Sequence, residues 1–388
     1  MQRPSLRIQR RAADRLAAGH VWVYASDVDR PENAQPGDTV TVLDPRGLSV
    51  GTAHFSAASQ IALRLFSNQV ESLDESFFRT RLSAAISHRR KVVQASNAFR
   101  LVFSEADQLP GLIVDQYDTT LVLQTLTQGM DRAQPMIAGL LDEVLSPNGI
   151  WERNDAPVRT KEQLPFRSGP LIGNPASAIE VTMNGIFFQA DLATGQKTGV
   201  YLDQRENYLA AARWGHGEAL DCFTSTGGFA LHLAKVCTGV EAVDSGAAAL
   251  ASADRNRRKN GIENVRFVEA DVFDLLSSHR AAARKFQTIV LDPPAFAKTR
   301  STVEGAVRGY KEINLRALQL LDPGGILVTC SCSHHMSESM LLEAVAAAAR
   351  DSRRTLRLLE RRAQAMDHPI LPSIPETHYL KCLILEVL

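Results

Sequence analysis

A series of short apolar runs in the C-terminal half, each closing on a carboxylate, limits what this chain can fold into more than any other feature. The run Gly215 to Phe223 carries Asp221 and leads into a hydroxyl-rich bend, DCFTSTGGF, spanning Asp221 to Phe229. Gly227 and Gly228 then open an apolar helical stretch through Phe229, Leu231 and Leu233. Backbone can therefore come close to a ligand at the C-terminal end of a strand, where open α/β sheets place their cofactors. Val240 to Asp244 ends in a second carboxylate, about 20 residues past the turn, the spacing at which an acid meets ribose hydroxyls. Val265 to Asp271 repeats the design, and Phe286 to Leu291 precedes Asp292. Helical segments such as Ala247 to Lys259 lie between these runs. The alternation predicts a doubly wound α/β sheet.

Two glycines after a strand are common, and an acid at a strand end is often only solvated. The ordered series raises the turn above that reading. An incomplete G-x-G-x-x-G argues against a dinucleotide pyrophosphate, and so against an NAD-linked enzyme. The set resembles the class I S-adenosylmethionine-dependent methyltransferases, with a Rossmann-like domain and S-adenosyl-L-methionine as cofactor. In that resemblance Asp221 and the turn residues Phe223, Thr224, Gly227 and Gly228 face the methionine part, Asp244 the ribose and Asp271 the adenine edge. Ser245, Val272, Asp292 and Pro293, beside or within the same strand ends, complete the expected cofactor set.

With 388 residues the chain exceeds one ordinary core, so two or three domains are expected. Lys plus Arg equals Asp plus Glu at 43 each, so no global field draws in nucleic acid and any RNA surface must be local. Candidates are Arg7, Arg10, Arg11 and Arg15, spaced for one helical face, and the runs Arg89, Arg90, Lys91 and Arg257, Arg258, Lys259. Charged runs are also the ordinary solvated faces of helices. Five scattered cysteines point to reduced thiols, and Cys330 and Cys332 stand too close together, without a second pair, for a metal site. No metal and no membrane partner are expected, the N-terminus has no apolar signal core, and cytoplasm is the default location.

Three domains follow from the pattern. Residues 1–69 carry short β-like runs (Val21 to Tyr24, Thr39 to Leu43, Ile61 to Leu65) that suggest a small barrel or sandwich. Residues 70–178 begin with a helical face of Phe77, Phe78, Leu82 and Ile86. Strands from Leu101, Gly111 and Leu121 follow, then a helix near Pro135 to Val144, giving a central α/β domain. Ser168 to Ser177 reads as a connector, and residues 179–388 as the catalytic domain.

The chain resembles the ribosomal RNA large subunit methyltransferase I family over nearly its whole length. The resemblance rests on GHVWVY (Gly19 to Tyr24), EADQLPGLIVD (Glu105 to Asp115), WERND (Trp151 to Asp155), TGQKTGVYLDQR (Thr194 to Arg205) and His368-Pro369. It implies an N-terminal PUA RNA-binding domain, a central α/β domain, a class I methyltransferase domain and ribosomal RNA as partner, with a homodimer as a candidate assembly. In that family GQKTGVYLDQR helps close the cofactor site, which implicates Gln196, Lys197, Thr198, Asp203 and Arg205. The plain alternative is a polar loop capping a helix at Asp203.

Carbon 5 of cytosine is too electron-poor to attack a methylsulfonium unaided. An enzyme must add a thiolate to carbon 6 first, so a cysteine is needed beside the base. In GILVTCSCS (Gly325 to Ser333), strand alternation puts Val328, Cys330 and Cys332 on one face, with Cys332 nearer the cofactor rim. Cys332 also matches the S/T-C-S pattern in which RNA cytosine-5 methyltransferases carry their nucleophile. The competing reading is two small buried hydrophobes. Those enzymes hold a second cysteine in D-x-P-C to release product, and here that position is Ala295. Release then falls to Cys330, a hydroxyl or water. Asp292 would hold the base's Watson–Crick edge, Pro293 and Pro294 a rigid floor, Phe296 a stacking wall, with Lys298 nearby. Asp-Pro-Pro equally resembles the D/N-P-P-Y/F motif of adenine or guanine amino-methyltransferases, which need no cysteine. A non-catalytic RNA-binding or ribosome-assembly factor is the reading of another class, and the intact acid series argues against it.

Overall fold

The apolar runs and their acids become a seven-stranded sheet in a computed structural model that describes residues 3–29, 33–193, 195, 198–296 and 303–388. The chain divides into two compact units. One comprises Met1–Val181, Ala190–Val200 and Met366–Thr377; the other comprises Thr182–Gln189, Tyr201–Ala365 and His378–Leu388.

The first unit holds two five-stranded sheets. The N-terminal one is built from Ser5–Arg7, Trp22–Tyr24, Thr39–Leu43, Ser49–Phe55 and Ile61–Ser67, with Ile8, Val23, Val40, Val42 and Leu63 in its core. Arg7 lies in the first strand and not on the helix Arg10–Ala17, so the four arginines do not share a helical face. Arg11 and Arg15 both pair with Asp27, an aspartate 1% exposed, and Arg10 lies 3.8 Å from Asp14, which neutralises most of that patch.

In the rest of this unit, the helix Glu75–Val92 starts where Asp74 accepts from the Phe77 amide, and it buries Phe78, Leu82 and Ile86. Its Arg89, expected among the phosphate contacts, is buried instead. Its guanidinium donates to Asp107 and to the carbonyls of Arg100 and Asp367. The helix expected near Pro135 runs from Gln128 to Leu145, because Thr127 caps it through the Met130 amide; proline marked an interior position and not the start. Ser168 to Ser177 is no connector over its first half. Arg167–Gly173 pairs antiparallel with Gly149–Asn154 as an edge strand, the place where Gly169 and Pro170 are tolerated. Words of the sequence that carry the family resemblance meet within this unit: the Trp22 indole donates to Glu105 at 2.9 Å, and the His368 ring lies 5.3 Å from that of Phe103.

A hairpin of Ala178–Met183 and Ile186–Asp191 turns at Asn184-Gly185, both at positive φ, as a tight hairpin needs. The second unit then builds its sheet from β1 (Glu218–Cys222), β2 (Gly239–Asp244), β3 (Val265–Glu269), β4 (Phe286–Leu291), β5 (Leu321–Ser331), β6 (Leu356–Arg362) and β7 (Lys381–Val387). Their order is β3-β2-β1-β4-β5-β7-β6. β1 to β5 are parallel, while β7 enters antiparallel between β5 and β6. Helices α1 (Arg205–Trp214), α2 (Gly228–Leu233), α3 (Ala247–Lys259), α4 (Val272–Ala281), α5 (Val303–Leu320) and α6 (Glu338–Asp351) connect the strands. Strands covered on both faces need continuous apolar runs, and Ile289, Val290 and Leu291 are all fully buried. Each such side chain contributes about 1.5–3 kcal/mol. Strand order reverses between β1 and β4. That crevice at the C-terminal strand ends is where the doubly wound fold accepts ligands.

Candidate active site

Asp221 sits near the end of β1, fully buried. Beyond it Phe223, Ser225 and Gly227 are all left-handed, at φ 65°, 49° and 90°. Two non-glycine residues in that region cost on the order of 1–3 kcal/mol each, and they persist only where surroundings over-determine them. The determinants are visible. Asp221 Oδ2 accepts from Thr224 Oγ1 at 2.6 Å and from the Ala230 amide at 2.9 Å. The Thr224 amide donates to the Val243 carbonyl, and the Ser225 amide to Asp244 Oδ2, both at 2.9 Å. Gly228 has a different reason to be glycine. A Cβ there would run into the Tyr208 ring, so it lets α2 pack under α1.

The other oxygen of Asp221, Oδ1, is buried and has no hydrogen-bond partner among the described residues. Burial, with the neighbouring charges of Asp292 and Asp244 adding to it, pushes this carboxyl up to about 7 against the pull of its hydrogen bonds. An orphaned acid at the head of a strained turn suits a cationic ligand group, so the residues fit the amino-acid end of S-adenosylmethionine. Asp244 is braced at the end of β2, its Oδ1 accepting from the Gly246 amide at 2.9 Å. Ser245 beside it is exposed. Asp271 is exposed and caps α4 by accepting from the Asp274 amide, while Val272 turns its side chain into the core.

Asp292 is partly buried just past β4, Pro293 is buried and Pro294 exposed. The Phe296 ring packs 4.8 Å from Tyr310 and 6.5 Å from Phe273. Gln196, Lys197 and Lys298 lie outside the described residues. Thr198 belongs to the first unit, where it donates to Asp115 at 2.6 Å and shares a 2.7 Å hydrogen bond with Tyr117. Asp203 caps no helix. It is buried and accepts from the Tyr379 hydroxyl at 2.7 Å, and Gln204 is the residue that precedes α1. Arg205 opens α1, 2% exposed, its carbonyl held by Asn184.

Cys332 lies one residue past β5, so strand alternation does not extend to it. It is half-buried, whereas Cys222, Cys237, Cys330 and Cys382 are all buried. Cys330 stands directly opposite Cys382 in the β5–β7 register, and desolvation pushes its thiol well above the ordinary range. Tyr201, inside the Thr194 to Arg205 word, and Tyr310 and Lys381, which carry no local sequence signal, all lie within electrostatic reach of Cys332. Tyr201 and Tyr310 each feel both the Cys332 and Asp292 charges, although burial is the main reason that their hydroxyls are pushed up. Lys381 arrives from β7. Among the described residues no cluster of His, Cys, Asp and Glu is arranged to hold a metal ion, and no helix is long and apolar enough to cross a membrane.

Comparison with known proteins fits this geometry. A family model for S-adenosylmethionine-dependent methyltransferases matches residues 165–386, and one for PUA-like domains matches residues 6–68. Ribosomal RNA large subunit methyltransferase I of Pseudoalteromonas translucida is 41% identical over 381 residues, covering 96% of both chains. The protein of the same name from Shewanella denitrificans is 40% identical over 382 residues, again 96% of each. The chain belongs to the ribosomal RNA large subunit methyltransferase I family. A solved methyltransferase complexed with SAH shares the fold, with a TM-score of 0.86 at 20% identity over 99% of this chain and 100% of the other. The family membership makes the second unit an S-adenosylmethionine-dependent methyltransferase of the class I fold, and the N-terminal sheet a PUA-like domain.

Proposed function

We propose that this chain methylates carbon 5 of a cytosine in large-subunit ribosomal RNA through a covalent adduct on Cys332. The observation that supports the reading is that Cys332 is half-buried while the other four thiols are buried. The relatives' name supplies the ribosomal RNA. Bound S-adenosylmethionine supplies an electrophilic methyl group. Cys332 Sγ gives its electron pair to carbon 6 of the ring, and carbon 5 becomes electron-rich enough to accept that methyl. Loss of the carbon 5 proton then returns the electron pair, and the sulfur leaves carbon 6. Cys330 is a poor acceptor for that proton, being fully buried against Cys382, so water at the half-exposed rim takes it. Asp292 holds the exocyclic edge of the base over Pro293, and Phe296, backed by Tyr310, forms the wall.

Residues 1–69 serve in this reading as the RNA-recognition domain, 70–178 as the central domain and 179–388 as the catalytic domain. RNA carrying 5-fluorocytidine tests the chemistry, because fluorine cannot leave as a proton does. A denaturation-resistant adduct that disappears in Cys332→Ala is the expected result. Turnover retained in Cys332→Ala would move the assignment to amino-group chemistry on Asp292-Pro293-Pro294.

A further inference from the structure

Lys381 is the first residue of β7 and stands directly across from Ser331 of β5. It is 3% exposed. Its Nζ donates to the carbonyl of Ser333 at 2.9 Å and to that of Tyr379 at 3.1 Å. The charge therefore lies beside the Cys332–Ser333 bend, with two uncharged acceptors. Placing an ammonium out of water is costly unless an anion faces it. Burial pushes Lys381 down to about 8, and the neighbouring Cys332 opposes that shift, so a Cys332 thiolate is the anion suited to face it.

Among the described residues, the groups named here around Cys332 besides Lys381 do not supply this positive charge. Asp292, at the end of β4, is negative and opposes ionisation of a nearby thiol. Tyr201, ahead of α1, and Tyr310, on α5, are neutral in the physiological range because burial raises both. The Tyr310 hydroxyl lies 3.3 Å from Ser333 Oγ, and the His334 ring packs 5.8 Å from that of Tyr379. A thiol among a carboxylate and two phenols would hold its proton. With an ammonium on its other side it gives that proton up.

We propose that Lys381 is the positioning residue that makes Cys332 a nucleophile, by anchoring the Ser333 carbonyl and by stabilising the Cys332 thiolate. This rests on the covalent reading of Cys332. The thiol proton passes to water, Lys381 keeps its own, and the thiolate–ammonium pair persists until carbon 6 of the substrate takes the sulfur electron pair.

Iodoacetamide alkylation of the Cys332 peptide, followed against pH in the full-length protein without RNA, tests the proposal. The wild-type midpoint is expected below the value of about 8.5 for a free cysteine. Lys381→Met keeps the stem length and removes the charge, and it should slow alkylation at pH 7 about tenfold, as a midpoint raised by about one pH unit requires. S-adenosylhomocysteine titration identifies the variant as folded. A wild-type midpoint at or above about 8.5 overturns the proposal without any variant. An unmoved midpoint in folded Lys381→Met overturns it too. Failure of the covalent reading itself appears elsewhere, as turnover by Cys332→Ala, and leaves the alkylation profile unchanged.

Discussion

Thr224 donates its hydroxyl to Asp221 at 2.6 Å, and this bond engages only one of the two carboxylate oxygens. The fold thus holds an acid that it does not fully satisfy. Its folded value near 7 lies above the ordinary 3.8, so the folded state binds the proton more tightly than the unfolded chain. The sign is the reverse of a salt-bridged aspartate. No stability is lost at pH 3, a penalty grows as pH rises from about 4 to about 7, and it stays constant above that. Its upper bound is on the order of 4 kcal/mol by linkage, reduced by relaxation and entering water. Asp221→Asn should therefore melt above wild type at pH 8 and match it at pH 3.5. Equal melting temperatures at both values would show that the acid is not strained in the fold.

The same acid makes cofactor binding depend on pH. If Asp221 faces a cationic group, affinity for S-adenosylhomocysteine should strengthen from pH 6 to pH 8 as the carboxyl ionises. Asp221→Asn should flatten that dependence. Calorimetry showing the same slope in both proteins would place the titrating group elsewhere.

Asp244 accepts from the Ser225 amide in the strained turn, and as the proposed ribose ligand it would serve a second purpose. Asp244→Ala should weaken S-adenosylmethionine binding by ~1.5 to 3 kcal/mol, the scale of hydrogen bonds to a charged group. Asp244→Asn keeps an acceptor for Ser225 and should lose less. Unchanged affinity in a folded Asp244→Ala protein removes the residue from the site.

Gly228 reads in the sequence as a ligand-approach glycine, yet the structure sets it against Tyr208. Gly228→Ala should cost about 1–3 kcal/mol of stability through overpacking. Adding Tyr208→Leu should recover part of it, and denaturant melts of the single and double variants decide the matter. Additive losses in the double variant would refute the clash.

How much could be read in advance follows from where each signal resides. The order of Asp221, Asp244, Asp271 and Asp292 was legible because three of the acids sit at or next to a strand end and Asp271 caps the helix just after one, and such places show as local breaks in apolar runs. Cys332 stood out as the last thiol of a strand-like run. Lys381 was not legible. It enters the site only because β7 pairs antiparallel with β5, a register fixed about 50 residues away in sequence, which no local pattern encodes. Tyr310 arrives likewise through helix packing. Arg89 misled for the opposite reason: a basic run on a helix looks solvated until tertiary partners such as Asp107 bury one member of it.

Cys330 gives the last test, since alternation placed it beside the proposed nucleophile and burial gives it other work. It is fully buried opposite Cys382, and desolvation keeps its thiol protonated, so it is suited neither to accept the carbon 5 proton nor to meet solvent. Removing a buried sulfur leaves a small void. Cys330→Ala should therefore lower stability by about 1 kcal/mol, near the cost of one buried methylene-sized group, while single-turnover methylation stays within about twofold of wild type. A release residue behaves differently: its loss traps the thioether. Gel-resistant protein–RNA complex accumulating in Cys330→Ala on ordinary cytosine RNA would return the release step to Cys330 and displace water from that role.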